Sequence, residues 1–571
     1  MLAALAVTLM MGAPQSLDGK EIQRLIANGK GTVTLPKGSF RMGPGKGPRY
    51  HLDFDDLRDL VIDGTGTELI LTDPGRGGIR FQGCRNVTLK GLSLRWETPP
   101  FTQGRVTDFD PNGEWYEVKI SPGYPTDLDD RKHFPANPTG YLFDAQTRLW
   151  KHGSLDLYSS RVDKKGPDTF RFNMRNPVKN PVSVGDPVAF RGFLSSGLEL
   201  LMTEKMRIED VTLRNVPGIV CHEVQGEGGN YYRYKVTYGP PPAGATERPL
   251  MASNAGGFNS GSMRAGVTVE NSTIEGTADD AIPIHGMFAA VSKSEGNQLW
   301  VNSYYKKIDV RVGEPVQFFD EKGAPEGEAK VIGVEPAPDF SAPDSKIITM
   351  DEKGNYYRLT LDRSVNLKPD YLAGFPNATN SGFAVRGNRI LNNRARGILI
   401  MAANGVVENN VIDGSTIAGI VVCPTIRNAV AGYAENVIIR GNTIRNTGYA
   451  TAGPFTYQAG AISVTARGIK EITHRNITIE NNTFEDIDGI NLLVKNTSGV
   501  TIRGNTFRRP MRKMSPSDRG KNFNFDQEAL VYIADSDRVN AAENRVFEAG
   551  GQMKKMIVGP KGLNLGGFIK G

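Results

Sequence analysis

The stretch VRGNRILNNRARGILIMAANGVVENNVIDGSTIAGIVVC (385–423) decides the fold, because it contains two copies of one pattern. Each copy runs apolar, charged, Gly or Asn, Asn, any residue, apolar: VRGNRI (385–390) and VENNVI (407–412). A second short apolar strand follows each copy, in ARGILIMA (395–402) and IAGIVVC (417–423). Asn388 and Asn410 are 22 positions apart, which is the length of one β-helix coil with three short strands. A single coil cannot bury its apolar side chains, so stacked coils are expected.

The same pattern recurs along most of the chain, in IEDVTL (208–213), VENSTI (269–274), IRGNTI (439–444), IENNTF (479–484) and IRGNTF (502–507). Parallel coils stack about 4.8 Å apart. We therefore expect the recurrent asparagines to lie above one another at a corner, where they bond the backbone; they are Asn388, Asn410, Asn442, Asn482 and Asn505. The sequence predicts an all-β protein, a right-handed parallel β-helix.

Two segments interrupt the period, and both contain polar turns between short apolar strands. Residues 101–195 and 290–378 are predicted to form two inserted small antiparallel β-barrels, since VGDPVAF (184–190) and VGEPVQF (312–318) mark similar modules. EIQRLIANG (21–29) predicts a capping helix. The remaining predicted units are a signal segment (1–16), the cap with the first coils (17–100), the central coils (196–289) and the C-terminal coils (379–571).

The composition excludes several classes of partner and cofactor. The 68 basic and 62 acidic residues are interspersed, so the net charge of +6 predicts no nucleic-acid surface. Three distant cysteines give no metal-site spacing, and no metal or other cofactor is expected. The apolar run Leu2 to Met11 is too short to span a bilayer and indicates export, to a secreted, periplasmic or cell-surface location. Whether the chain forms a homodimer is left open by the sequence.

The most unusual coil is GTADDAIPIHG (276–286). Aligned on the repeat, Ile282 and Ile284 match the inward Ile398 and Ile400, so Asp280 should lie beside Arg396 on the next coil. We expect both charges at a corner, pointing to solvent, because neither belongs unpaired in an apolar core. A paired Asp before a strand is often only a turn former.

Further polar residues are expected around this corner, with His222 aligned on His285. The predicted substrate-binding set is His285, Arg396, Arg264, His222, Glu223 and Asn259. Glycoside hydrolysis needs one carboxyl group to protonate the leaving oxygen and another to activate water or attack. Asp279 and Asp280 are the predicted catalytic residues.

At ADDAIPIHG (278–286) the chain resembles glycoside hydrolase family 110. The members of that family are inverting, exo-acting α-1,3-galactosidases with a parallel β-helix and inserted small barrels. The resemblance extends to PPFTQGRV (99–106), VGDPV (184–188), MASNAGGFNSGSMRAGVTVEN (251–271) and NNRARGILI (392–400). It implies that Asp279 and Asp280 act in the hydrolysis of a terminal sugar.

Two acidic positions of that family are missing here: Gly256 stands where an Asp would be expected, and Val430 where a Glu would be. A different sugar, a relocated acid such as Glu223, Glu227 or Glu275, or an inactive descendant therefore remain open. The leading hypothesis is a secreted glycosidase that releases a terminal sugar, with α-linked galactose as the first candidate. The alternatives are a polysaccharide lyase or epimerase acting on uronates, and a non-catalytic glycan-binding β-helix.

Overall fold

The computed structural model describes residues 15–17, 19–45, 47, 49–131, 133–154, 156–177, 182–192, 194–343, 345–346, 354–426, 429–449, 457–513, 523–560 and 567–570. Nearly all regular structure is β, and most strands pair in parallel between successive coils, as the repeat predicts for a right-handed parallel β-helix. Within these ranges no helix is both long and apolar enough to cross a membrane. Most of the predicted signal segment lies outside the described residues, so export stays a prediction.

The coils stack their strands into three faces, called A, B and C here. Face A contains Gly31–Thr34, Arg58–Asp63, Arg85–Lys90, Arg207–Arg214, Tyr231–Val236, Thr268–Glu270, Ala384–Arg386, Val406–Glu408, Glu435–Arg440, His474–Glu480, Thr497–Arg503 and Asp537–Ala542. Face B contains Gln15–Leu17, Gly38–Met42, Thr67–Leu71, Ser93–Trp96, Thr273–Glu275, Arg389–Leu391, Val411–Asp413, Thr443–Arg445, Thr483–Glu485, Thr506–Arg508, Asn544–Phe547 and Phe568–Lys570. Arg207–Arg214 and Tyr231–Val236 bend from face A into face B.

Face C carries the strands on which the site is built. Its strands are Tyr50–Asp55, Gly77–Gln82, Leu198–Leu201, Cys221–Gly228, Phe258–Ala265, Ile282–Glu295, Arg396–Met401, Ala418–Val422, Ile462–Val464, Leu492–Lys495, Ala529–Ala534 and Lys555–Val558. Ile282 pairs with Ile398 and Ile284 with Ile400, in the predicted register. All four side chains are buried in the central core.

The recurrent asparagines form a buried ladder between the faces. The amide oxygen of Asn442 accepts hydrogen bonds from the backbone N–H of Asn410 (3.0 Å) and from its Nδ2 (2.9 Å), while Asn442 Nδ2 donates to the carbonyl of Val407 (3.0 Å). The same three bonds recur at Asn410, Asn482, Asn505 and Asn544. Both polar atoms of each of these side chains are thereby hydrogen-bonded inside the protein, which fixes the register of each coil on the next.

One end of the β-helix is closed by the helix Gly19–Ala27, where a capping helix is predicted. Ile22 and Ile26, one turn apart, are buried in the central core. Gln23 Nε2 donates to the carbonyl of Asp53 (2.7 Å) and ties the helix to the first strand of face C.

Each inserted segment contributes an antiparallel sheet. In the first the strands follow the order Gly140–Leu142, Pro187–Arg191, Phe101–Phe109, Trp115–Ile120, Thr169–Met174, Ser159–Lys164. In the second the strand Ile282–Glu295 continues from face C and pairs in a ring with Gln298–Ser303, Asn355–Leu361, Pro325–Pro336, Pro315–Phe319 and Leu372–Gly374. A short 3₁₀ helix, Pro376–Ala378, leads back to the coils, and Val430–Ala431 pairs with Gly286 and Met287. The predicted domain boundaries stay predictions.

Glu223 lies inside the coils, within a polar cluster, and is fully buried. One carboxyl oxygen accepts bonds from Tyr232 Oη (2.6 Å) and Asn230 Nδ2 (2.8 Å), and the other contacts Ser260 Oγ. The single hydroxyl proton of Ser260 is used on Asn380 Oδ1 (2.9 Å), so a protonated Glu223 completes the network by donating to Ser260. Burial raises the pKa of Glu223, which agrees with this proton count.

We predict that Asn442→Ala lowers the free energy of unfolding by about 2–3 kcal/mol, because the backbone N–H of Asn410 and the carbonyl of Val407 lose their partners inside the protein. Arg440→Ala on the same coil removes the ion pair with Glu408, in which the arginine side chain is 48% exposed, and should cost less than about 1 kcal/mol. Urea unfolding followed by circular dichroism measures both. Equal losses for the two variants would show that the ladder adds little stability.

Glu223→Gln should stabilise the protein at pH 7.5 and have little effect at pH 4. A glutamate with a raised folded-state pKa costs stability once the pH passes the ordinary value of about 4.5, because the unfolded chain then ionises while the folded protein must stay protonated or bury a charge. Glutamine reproduces the neutral donor and acceptor pattern and removes this loss.

Denaturation midpoints between pH 4 and 8 test this, with Glu435→Gln, an exposed glutamate, as the control. A Glu223→Gln protein that is less stable than the parent at pH 7.5 would mean that Glu223 is ionised in the folded state.

Candidate functional site: a polar cleft on the outside of face C

A cleft of about 850 Å³ opens on the outer side of face C, where the coils meet both insertions. It is lined by Arg49, Tyr50, Gly75, Arg191, Leu194, Ser195, Ser196, Glu199, Ile219, His222, Ala255, Gly256, Phe258, Asn259, Asp279, Asp280, Pro283 and Tyr304. The floor comes from neighbouring strands of face C, and Tyr304 comes from the second insertion. Three carboxyl groups, two arginines and two tyrosines therefore face one volume that is large enough for sugars.

Asp280 is held by Arg396 of the next coil, as the repeat register predicts. Its Oδ1 accepts the backbone N–H of Arg396 (2.8 Å), and both of its oxygens lie within 3.2 Å of Arg396 Nη1. Arg396 Nε also donates to Gln458 Oε1 (2.8 Å). Burial raises the pKa of Asp280; Arg396 opposes this shift, and the nearby Asp279 carboxylate adds to it.

The pair is more enclosed than the sequence suggests. The side chain of Arg396 is 6% exposed and that of Asp280 is 14% exposed. The expectation that both charges point to solvent is therefore wrong for Arg396, which lies beneath the cleft. The physical reason is the pairing itself, since a guanidinium whose charge is balanced by a carboxylate, and which also donates to a side-chain amide, can be buried at a coil corner.

Asp279 is the exposed carboxyl group of the pair, with 42% of its side chain accessible. Its Oδ1 accepts bonds from the backbone N–H of Asp280 (3.0 Å) and from Arg394 Nη1 (3.1 Å). Arg394 Nε also donates to Asp156 of the first insertion (2.8 Å). This chain of charges ties the first insertion to the coil that carries the two aspartates.

Glu199, which the sequence reasoning missed, forms a second polar group with the predicted His222. His222 Nδ1 lies 3.2 Å from Glu199 Oε1 on the adjacent strand. Burial would raise the pKa of Glu199, but hydrogen bonds with His222, Ser196 and Tyr50 hold it below its ordinary value. Glu199 is the only charged residue in the otherwise apolar strand LELL (198–201). A single charge in such a strand was the sequence feature from which Glu199 could have been identified as a site residue.

His285 is buried. Its Nδ1 donates to the carbonyl of Gly286 (2.8 Å), and the side-chain amide of Asn259 lies 3.1 Å from Nε2. Burial lowers the pKa of His285 to about 4, and the nearby His222 adds to this shift. His285 contacts Asn259 and can therefore orient its side chain, which lines the cleft.

The structure brings together most of the predicted site residues. Asp279, Asp280, His222 and Asn259 line the cleft, and Arg396 and His285 contact lining residues from below. The predicted alignment of His222 with His285 is wrong, because His285 pairs with Gly261, whose partner on the preceding strand is Val224, whereas His222 pairs with Asn259.

Glu223 and Arg264 are placed elsewhere. Glu223 follows the outward His222 on a strand, so alternation points it into the coil, away from substrate. Arg264 forms an ion pair with Glu314 of the second insertion and does not line the cleft.

The two positions with missing acids differ in their surroundings. Gly256 lines the cleft, and a Cβ atom there would lie 2.5 Å from the carbonyl oxygen of Asp280, so any side chain would force that backbone to move. Val430 pairs with Met287 and is not part of the lining. The carboxyl groups available in this cleft are those of Glu199, Asp279 and Asp280.

The comparisons with known proteins agree with the motifs. No family model matches the chain. An α-1,3-galactosidase B of Parabacteroides distasonis is 22% identical, covering 91% of this chain and 87% of that protein, and one of Phocaeicola vulgatus is 24% identical, covering 80% and 79%. Among solved structures, the catalytic unit of a GH87 α-1,3-glucanase from Streptomyces thermodiastaticus aligns with a TM-score of 0.43 and 12% identity, over 98% of this chain and 68% of that one. The resemblance to the α-1,3-galactosidases of glycoside hydrolase family 110 is thus confirmed over most of the chain.

Proposed function

We propose that the protein is a secreted glycoside hydrolase that removes a terminal α-linked galactose from an oligo- or polysaccharide, with inversion at the anomeric carbon. The observation that carries the proposal is the Asp279–Asp280 pair in a polar cleft, fixed by Arg394 and Arg396. The α-1,3-galactosidase relatives support the reaction class and suggest the sugar.

The two aspartates differ in the way that hydrolysis requires. Asp280 is enclosed, and burial raises its pKa, which is the property expected of the group that protonates the leaving oxygen. Asp279 is more exposed and can activate a water molecule at the open side of the cleft. The Glu199–His222 pair and Asn259 are suited to bind sugar hydroxyl groups.

A lyase or epimerase acting on uronates is the second candidate. It is favoured by Arg49 and Arg191, which line the cleft and could neutralise a sugar carboxylate. A lyase leaves an unsaturated product that absorbs ultraviolet light, an epimerase inverts one carbon without cleaving the glycan, and a hydrolase releases a saturated sugar, so product analysis separates the three.

Asp280→Asn should lower the rate of sugar release by about 10³-fold, the contribution typical of a general acid or base, while leaving glycan binding measurable. Asp413→Asn is the matched control, since Asp413 is also an aspartate paired with an arginine (Arg445) at 2.8 Å but lies outside the cleft. Release of galactose from α-1,3-galactobiose and from aryl α-galactosides is the assay.

The anomeric configuration of the first sugar released, followed by proton NMR, tests whether the reaction inverts the anomeric carbon.

Three outcomes would overturn the proposal: unaltered activity in Asp280→Asn, an ultraviolet-absorbing product, or glycan binding by the parent protein without turnover of any glycoside. The last result would leave a non-catalytic glycan-binding β-helix.

A further inference from the structure

Tyr304 is a large aromatic side chain that remains 47% exposed and lines the cleft. It begins the segment 304–314, called the anchored loop here, which joins the strands Gln298–Ser303 and Pro315–Phe319 of the second insertion. About half of the Tyr304 side chain is therefore left uncovered by the fold and faces the cleft. Such rings bind sugars by covering their apolar C–H face.

The anchored loop is fixed to its own insertion. Ile308 and Val310 are buried in the core of that insertion, and Tyr357 Oη donates to the carbonyl of Lys306 (2.6 Å). These contacts hold the middle of the loop, so Tyr304 is not at the end of a free segment.

The loop is also fixed to the coils. Arg264 Nη2 donates to Glu314 Oε2 (3.2 Å), Arg264 Nη1 bonds the other carboxylate oxygen, and each of the two side chains is only 16% exposed. Gln225 Nε2 donates to the carbonyl of Lys307 (2.5 Å). A bidentate, largely buried ion pair fixes the relative position of its two side chains as well as stabilising their contact.

Tyr305 supports the ring of Tyr304 from behind. The two rings meet edge to face, with centroids 5.2 Å apart and planes at 86°. Gly261 leaves the space beneath, because a Cβ atom there would lie 3.2 Å from Tyr305 Oη and 3.0 Å from His285 Cε1. The loop and the floor of the cleft are therefore packed against each other before any substrate arrives.

We propose that Tyr304 is a specificity-determining residue that stacks on the sugar next to the one released, and that Arg264 and Glu314 are positioning residues for it. This inference rests on the proposed function. An exo-acting enzyme encloses the terminal sugar and leaves the rest of the glycan at the mouth of its cleft. The exposed ring at that mouth therefore meets the remaining glycan, which leaves when the bond is cleaved.

Tyr304→Ala should raise KM about tenfold for an oligosaccharide that ends in α-1,3-linked galactose, because the stacking contact of one ring is lost. The value of kcat should change less than about twofold, since the acid and base are untouched. With α-galactosyl fluoride, which has no second sugar, both constants should be unchanged. Tyr304→Phe keeps the ring and should behave as the parent protein.

Arg264→Met and Glu314→Gln should each raise KM for the oligosaccharide in the parent background and have no further effect in the Tyr304→Ala background. A merely structural role for the ion pair would add its own loss in both backgrounds. Circular dichroism confirms that each variant is folded.

An unchanged KM in Tyr304→Ala, or an equal rise with the fluoride, would overturn the inference while leaving the hydrolase proposal intact. If the parent protein cleaves no galactoside, the hydrolase proposal fails separately. Calorimetric titration of the oligosaccharide into Asp280→Asn, with and without Tyr304→Ala, then decides the role of Tyr304, because equal affinities would exclude stacking.

Discussion

Hydrogen bonding between successive parallel coils is the constraint on which the rest of this structure depends. Asp280 and Arg396 are separated by 116 positions and by the whole second insertion, yet the bond from the Arg396 backbone N–H to the Asp280 carboxylate places them on adjacent rungs. The asparagine ladder sets the register of the C-terminal coils, starting from Asn388, whose amide oxygen accepts the backbone N–H of Ser272 (2.9 Å). A slip of one residue would turn every outward side chain inward.

The acidic residues of the cleft lie on the outer side of face C and are paired with basic or imidazole groups. Each carboxyl group that lines the cleft has a specific partner: Arg396 for Asp280, Arg394 for Asp279 and His222 for Glu199. Removing the partner of Asp280 or Glu199 would leave an uncompensated charge in an enclosed position, so each of these two carboxyl groups depends on its partner. They also keep the carboxyl groups in fixed positions, which catalysis requires.

The two insertions act as walls that are bonded to the coils. Trp150 Nε1 of the first insertion donates to the carbonyl of Asn392 (2.9 Å), and Asp156 reaches the Asp279 coil through Arg394. The second insertion is fixed through Arg264 and Gln225. A straight solenoid has a flat outer face, so a cleft on it needs inserted segments as walls. Both insertions leave the coils next to the strands that form the floor of the cleft.

The sequence by itself determined the coil architecture, the inward Ile282 and Ile284, the asparagine ladder and the Asp280–Arg396 neighbours, because these follow from a local pattern repeated at a fixed spacing. Only the tertiary structure decided which polar residues face the cleft. Glu223 points into the coil, Arg396 is covered, and Arg264 forms an ion pair with the second insertion. Glu199 and Tyr304 line the cleft, but they lie in segments that do not contain the repeated pattern. These placements depend on corners, strand alternation outside the pattern and long-range docking, and a periodic sequence signal carries no information about such contacts.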